Sequence, residues 1–408
     1  MEFVRKLEFT YKKHALLFLI VVVCIIAIRP LFTVYTLRDT LFSRNYHKNF
    51  AQLKNIYLHS VYTNKNGVFI ADEQFEAYAG GEFLKGLNPI LLVHDQPPLG
   101  RYITSLSILL FDNASTLSIP LLIFSVIGIV FIGKEVLNNW LLALIPAGIF
   151  MNEPLFLSKI IYTPLLEPIQ LPFIIFALYF FIRGINSKNY SKWFLLTALM
   201  LGFVISIRFF VLGAAELLCM ITYFLLNKKI DKKFLTFLAF LPVALVILFL
   251  SYTRTIQLGH SLFRVLSIQK YILWYHKSAL VLPFSVLDLL LFNRWHTWWG
   301  KWSISSDSLW IIAWPISLVL SVCFFIAAVL KKMVVSEAEK VILLWIGAYL
   351  LMLLTGYNST RYFLPLIPFL YIIAFSAIIR VMKTLTKTHT VVYISQHIQK
   401  PHVKRKHR

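Results

Sequence analysis

Apolar runs recur along this 408-residue chain at lengths that suit a bilayer. The first, ALLFLIVVVCIIAI, begins at Ala15 and is followed by Arg29-Pro30. Crossing about 30 Å of hydrocarbon takes roughly 20 mostly apolar residues, and a helix satisfies its own backbone there. With 59% hydrophobic and only 14% charged residues, most of the sequence is unsuited to a water-facing domain. The expectation is an all-α, polytopic membrane protein. Its three cysteines, Cys24, Cys219 and Cys323, all fall inside apolar runs, where packing is their natural role and a disulfide framework or thiolate cluster is not expected.

A net charge of +22 could suggest nucleic acid, but its distribution argues against it. Arg5, Lys6, Lys12 and Lys13 precede the first apolar run, and eight Lys/Arg with no acid lie between Arg380 and Arg408. Basic clusters beside spans follow the positive-inside rule and the pull of anionic headgroups. Both ends are therefore expected in the cytoplasm, with membrane lipids and not nucleic acid as partners. The first run lacks a small-residue cleavage site and reads as a retained anchor.

Basic loops orient the rest. Lys134-Glu135, the Arg183–Lys192 stretch, NKKIDKK at 227–233 and KKMVVSEAEK at 331–340 are placed inside. Spans are then expected near 15–33, 116–133, 139–154, 165–183, 193–209, 210–227, 233–252, about 308–330, 341–356 and 361–380, about ten crossings. Parity leaves 98–111 and 279–292 as segments lying on the outer face. The expected organisation is a cytoplasmic N-terminus (1–14), one membrane domain (15–381) and a basic cytoplasmic tail (382–408). The membrane domain carries a first outer loop, 35–115, and a second outer region, 253–306.

This topology gathers Asp72, Glu73, Asp95, Glu153 and Glu167 on the outer side. In DEQFEAYAGGEFLKG, Phe75, Tyr78, Ala79 and Phe83 recur with helical spacing, and Gly86 and Pro89 close the element. An amphipathic helix on the bilayer surface is expected, with Asp72 either its N-cap or a functional acid at the membrane boundary. Arg208 falls at an outward turn. Glu216, inside an apolar span, calls for a polar cavity or a basic partner such as Arg208.

Taken in order, Asp72-Glu73, DQPPLGRY at 95–102, Glu167, Arg208 and RYFLPLIPFL at 361–370 resemble the C-type glycosyltransferases, notably protein O-mannosyltransferases and lipid A aminoarabinose transferases. Gln96 stands where those relatives often have His or Lys, and Glu167 where Asp is usual. The resemblance implies a C-type bundle with an amphipathic first outer loop. It implies an integral enzyme of the plasma or inner membrane, mannosyltransferase-like, with its active site on the outer face. The implied reaction moves a sugar from a polyprenyl-phosphate donor to a protein, lipid or glycan acceptor with inversion.

On that reading Asp72, Glu73 and Glu167 are the catalytic acids, with Asp72 the base. The leaving phosphate needs positive charge. Lys159, Arg208, Arg254, Arg264, Lys270, Arg294, Lys301 and Arg361 all fall in outer segments, where each could equally meet a headgroup. Arg101, Arg208 and Arg361 are taken as donor-phosphate residues, and Asp95, Gln96, Tyr162, Glu216, His296 and Trp298 as further substrate contacts. His296 lacks an HxH or HExxH context, so no metal site is assigned. No cofactor is indicated, although a divalent cation is compatible with the acids. A lipid or sugar carrier, or a lipid-linked oligosaccharide polymerase or ligase, would use a similar residue inventory.

Overall fold

The computed structural model describes residues 20–62, 70–93, 95–208, 210–277, 282, 284–297, 303–331, 333–356 and 359–398. The chain opens with α1 (Ile20–Thr36), α2 (Arg38–Leu41) and α3 (Tyr46–Tyr62). There follow α4 (Asp72–Leu84), α5 (Pro89–Leu92), α6 (Leu99–Phe111), α7 (Ser118–Leu137), α8 (Trp140–Met151) and α9 (Pro154–Ile161). The central set is α10 (Leu166–Asn186), α11 (Tyr190–Ile207), α12 (Val211–Leu226) and α13 (Lys232–Ser251). Then come α14 (Thr253–Gln257), α15 (Leu262–Lys277), α16 (Ser285–Phe292) and a small antiparallel hairpin, β1 (Trp295–His296) with β2 (Ile304–Ser305). Helices α17 (Ala313–Val329), α18 (Glu337–Leu354) and α19 (Ile367–Ile398) complete the fold.

Among the described residues, α7, α10, α11 and α13 are each long and apolar enough to cross a bilayer. Helices α8 and α9 meet at a 61° bend and are together apolar enough to form either one broken span or a re-entrant loop. The other spans expected from sequence coincide with α1, α12 and α17, which are shorter apolar helices, and with α18 and α19. Helix α19 runs on to Ile398, so part of the expected tail continues the last helix. The N-terminal segment 1–14 lies outside the described residues.

Lipid offers apolar side chains no reason to leave it, so close packing and interhelical polar contacts hold such a bundle together. Phe181, Phe194, Phe224 and Phe237 interlock between α10, α11, α12 and α13, all fully buried. Successive long helices alternate in direction, and the basic loops collect at one end. There Arg183 reaches Glu135 at 3.1 Å, joining α10 to α7. Lys229 and Lys340 share Glu337 at 3.2 and 3.1 Å. Fully buried Glu339 takes two contacts from Arg380, at 2.6 and 2.7 Å, and one from the Ser376 hydroxyl. The opposite end carries the starts of α10 and α17, the ends of α11 and α13, and the turn before α19.

Helix α4 covers the expected stretch, but it does not lie alone on a surface. Its inner face buries Glu76, Tyr78, Ala79, Gly80, Gly81 and Phe83 and packs against α3 and α6. A side chain at Gly81 would put its Cβ 2.1 Å from the Tyr46 hydroxyl, so glycine there lets α3 approach. The Ser105 hydroxyl of α6 donates to the Gly80 carbonyl at 2.7 Å. What looks like a membrane-facing stripe in the sequence is a helix-packing face. Helix α6 has 13 residues, about 20 Å, too short to cross, as expected for 98–111.

Candidate active site

At the end opposite the basic loops, side chains from four distant segments meet around Glu167. This acid sits in the first turn of α10, where the helix dipole favours negative charge, and it is buried. Arg208, the extended residue on which α11 ends, places Nη1 3.1 Å from Glu167 Oε1. Because α10 and α11 are antiparallel neighbours, the start of one and the end of the other must lie side by side. Arg361 brings Nε within 3.5 Å of the same oxygen.

Arg361 belongs to a 3-10 turn, Thr360–Phe363, just before α19. Two bonds from α18 pin that segment: the Tyr349 hydroxyl donates to the Tyr362 carbonyl at 2.7 Å, and Trp345 Nε1 to the Pro365 carbonyl at 3.1 Å. The Tyr362 ring lies 5.1 Å from the Arg208 guanidinium and 5.2 Å from that of Arg361, within cation–π range of both.

The other edge of Arg361 holds Asp72. Nη1 donates to Asp72 Oδ2 at 2.5 Å. Burial works against the Arg361 charge, but Glu167 and Asp72 outweigh it and drive its pKa further up. Asp72 is the first residue of α4, and Ala71 takes the N-cap position, its N–H donating to Gln74 Oε1 at 3.4 Å. The Asp72 carboxylate is therefore not spent on a cap, and the side chain is 63% exposed. Glu73, one position on, makes no ion pair among the described residues.

The PPL segment adjoins the cluster through Gly100. A Cβ there would stand 2.6 Å from Leu166 Cδ2 and 3.0 Å from Ile207 Cγ2, so glycine seats α6 against both helix ends that carry the site. Two further groups come in, one that the sequence offered only among eight outer-segment cations and one that it did not offer. Lys159 of α9 is buried and within electrostatic reach of Glu167, Arg361, Arg208 and Asp307. Asp307 accepts a hydrogen bond from the Thr360 hydroxyl, tying the segment after the hairpin to the turn that carries Arg361. A lysine in an apolar stretch is the available sequence signal for the first; Asp307 offers none.

Several expected site residues lie elsewhere. Arg101 is 1% exposed and turned into the α4–α6 contact, its Nη2 donating to Glu76 Oε1 at 2.9 Å and its Nε 2.8 Å from Oε2. A guanidinium enclosed in that way is a structural partner of Glu76, and the phosphate role expected for it does not fit. Burial pushes the Glu76 carboxyl up to about 7 against the pull of Arg101. Glu216 does not pair with Arg208. It is fully buried in α12, and among the described residues neither of its carboxylate oxygens has a hydrogen-bond partner.

His296 Nε2 lies 3.1 Å from Asp288 Oδ2 in the hairpin region, so its contact is local. Asp95 interacts electrostatically with Glu76, which in turn feels Glu167, and with Tyr275. Gln96 is half-buried next to Asp95, and Tyr162 is exposed just past α9. Trp298 lies outside the described residues. Glu153, at the α8–α9 bend, is buried against Trp314, whose indole N–H faces both its oxygens at 3.3 Å. Among the described residues, no three His, Cys, Asp or Glu side chains converge as metal ligands would.

Residues 95–256 match the family model of dolichyl-phosphate-mannose-protein mannosyltransferases, under half of the chain. The matched segment contains Glu167 and Arg208, while Asp72 and Arg361 lie outside it. No curated protein sequence matches. Among solved structures, the chain is similar to ArnT from Cupriavidus metallidurans in the apo state, with a TM-score of 0.54 and 13% identity over 83% of this chain and 61% of that one. It is similar also to ArnT from that organism bound to undecaprenyl phosphate, with a TM-score of 0.51 and 13% identity over 86% and 64% of the two chains. The chain thus spans less than two thirds of the length of these neighbours. Fold and segment match together place it in the C-type glycosyltransferase fold, the resemblance that its motifs carry.

Proposed function

We propose that this chain transfers a sugar from a polyprenyl-phosphate donor to a hydroxyl of a protein, lipid or glycan acceptor, on the non-cytoplasmic face and with inversion. The observation that carries the proposal is the sharing of Arg361 between Asp72 and Glu167. One cation holds together an exposed acid suited to proton transfer and a buried acid that fixes the cation's position.

In the reaction the acceptor oxygen attacks the sugar's anomeric carbon as the bond from that carbon to the phosphate oxygen breaks. The electron pair leaves with the phosphate, and the acceptor's proton passes to Asp72. A phosphate beside Arg361 competes with Asp72 for the guanidinium. As the arginine turns toward the phosphate, the Asp72 carboxylate is released to the acceptor hydroxyl. Arg208, anchored by Glu167, adds positive charge where the leaving group gains negative charge.

A lipid-linked donor suits a site at a membrane boundary, and the bound undecaprenyl phosphate in a structure similar to this chain supports that donor class. The basic loops at the opposite end support a cytoplasmic location for that end. The deciding experiment presents the purified, lipid-reconstituted protein with a panel of polyprenyl-phosphate sugars and follows release of polyprenyl phosphate. Turnover of one donor is the expected result. Absence of both turnover and binding across the panel would refute the reading.

A further inference from the structure

Lys159 has no assigned task, and its surroundings do not explain it. The residue stands in the last turn of α9 and is 3% exposed. Among the described residues it makes no hydrogen bond or ion pair. Glu167 lies within its electrostatic reach, but Arg208 and Arg361 already share that carboxylate. Those two arginines repel it, and the other carboxylate within its electrostatic reach, Asp307, already receives the Thr360 hydroxyl. The end of α9 supplies only a partial negative charge.

A buried ammonium is costly unless an anion meets it. Three cations therefore face one region, and the carboxylates nearest them are engaged. The Asp95–Gln96–Pro97–Pro98 stretch contributes no cation of its own.

We infer that Lys159 is a third donor-phosphate ligand, its ammonium contacting the phosphate oxygens of the polyprenyl-phosphate sugar alongside Arg208 and Arg361. The inference rests on the reading above and deepens it. An ammonium is a compact point charge with three rotatable donors, whereas the two guanidiniums are planar forks already in contact with Glu167, Asp72 and Tyr362. Lys159 is the member of the set whose charge the protein leaves uncommitted, so it has the most to gain from a bound oxyanion. In the transfer step it stays protonated and offsets the charge that grows as the bond from sugar to phosphate breaks.

The test measures binding of undecaprenyl phosphate, with uncharged undecaprenol as control, to wild type, Lys159→Met, Lys159→Gln and Lys159→Arg in lipid nanodiscs. Met and Gln should weaken binding of the phosphate by about 10- to 100-fold, leave undecaprenol unchanged, and preserve or raise Tm because an unpaired buried charge is gone. Arg should recover part of the loss. Wild-type affinity in both neutral variants overturns this inference alone. Equal losses for phosphate and undecaprenol, or misfolding of both neutral variants, would make Lys159 structural and overturn it too. Failure of wild type to bind undecaprenyl phosphate overturns the donor reading along with it.

Discussion

Arg361 Nη1 lies 2.5 Å from Asp72 Oδ2, a contact between residues 289 positions apart in the chain. It joins the start of α4 to the turn before α19. The same guanidinium reaches Glu167. Arg361→Ala and Arg208→Ala are each expected to weaken donor binding. Lysine at either position should recover only part, because it loses the planar fork. Titration of a polyprenyl-phosphate sugar against each variant checks this, and unchanged affinity in both alanine variants removes the arginines from the site.

The Arg101–Glu76 pair gives a prediction of the opposite kind. Arg101→Met leaves a buried carboxyl without its partner and should cost about 3–5 kcal/mol, whereas Glu76→Leu with Arg101→Met should recover most of that loss. Donor affinity should be normal in the double variant. A selective loss of affinity there would restore Arg101 to the phosphate site.

The pair also titrates in a predictable direction. Burial raises the folded-state Glu76 pKa from 4.5 to about 7, so the folded chain binds this proton more tightly than the unfolded chain. Stability from the bound proton is fully present below about pH 4.5 and is lost as pH rises toward 7. The Tm advantage of wild type over Glu76→Gln should shrink across that window, and a growing advantage would contradict the assignment.

What could be read from the sequence follows from where each residue falls. Asp72, Glu167, Arg208 and Arg361 all sit at helix ends, so charge-derived parity puts them on one side without any knowledge of packing. Arg101 could not be read that way. Its partner depends on the register of α4 on α6, which is set by close approach at the Gly80–Gly81 pair and by Ser105. The same blindness to register made α4 look like a surface helix. It also suggested a Glu216–Arg208 pair, when the α10–α11 antiparallel contact gives Arg208 to Glu167. Lys159 reads in sequence as one of many lysines near a headgroup, and only its burial separates it from them.

Orientation can be checked directly. In a background with Cys24, Cys219 and Cys323 replaced, a cysteine at Ser305 should react with an impermeant thiol reagent applied to intact cells. Cysteines at Lys188 and Ser336 should stay protected until the membrane is opened. Labelling of Ser336 from outside would reverse the end assigned to the basic loops and with it the face of the site.

The proposed reaction places its base at Asp72. Asp72→Asn preserves size, and because Ala71 holds the N-cap position and Gln74 receives its N–H, the substitution removes no capping bond. The exposed carboxylate contributes little to stability through its contact with Arg361, so the variant should express, fold and melt close to wild type. It should bind polyprenyl-phosphate sugar at least as well, since Arg361 is no longer held by a competing carboxylate. It cannot take up the acceptor's proton, and transfer should fall on the order of 10²- to 10⁴-fold. Near-normal turnover in Asp72→Asn together with inactivity in Glu73→Gln would move the base by one residue. Full activity in both would leave the carboxylate-base mechanism without support, whatever the donor proves to be.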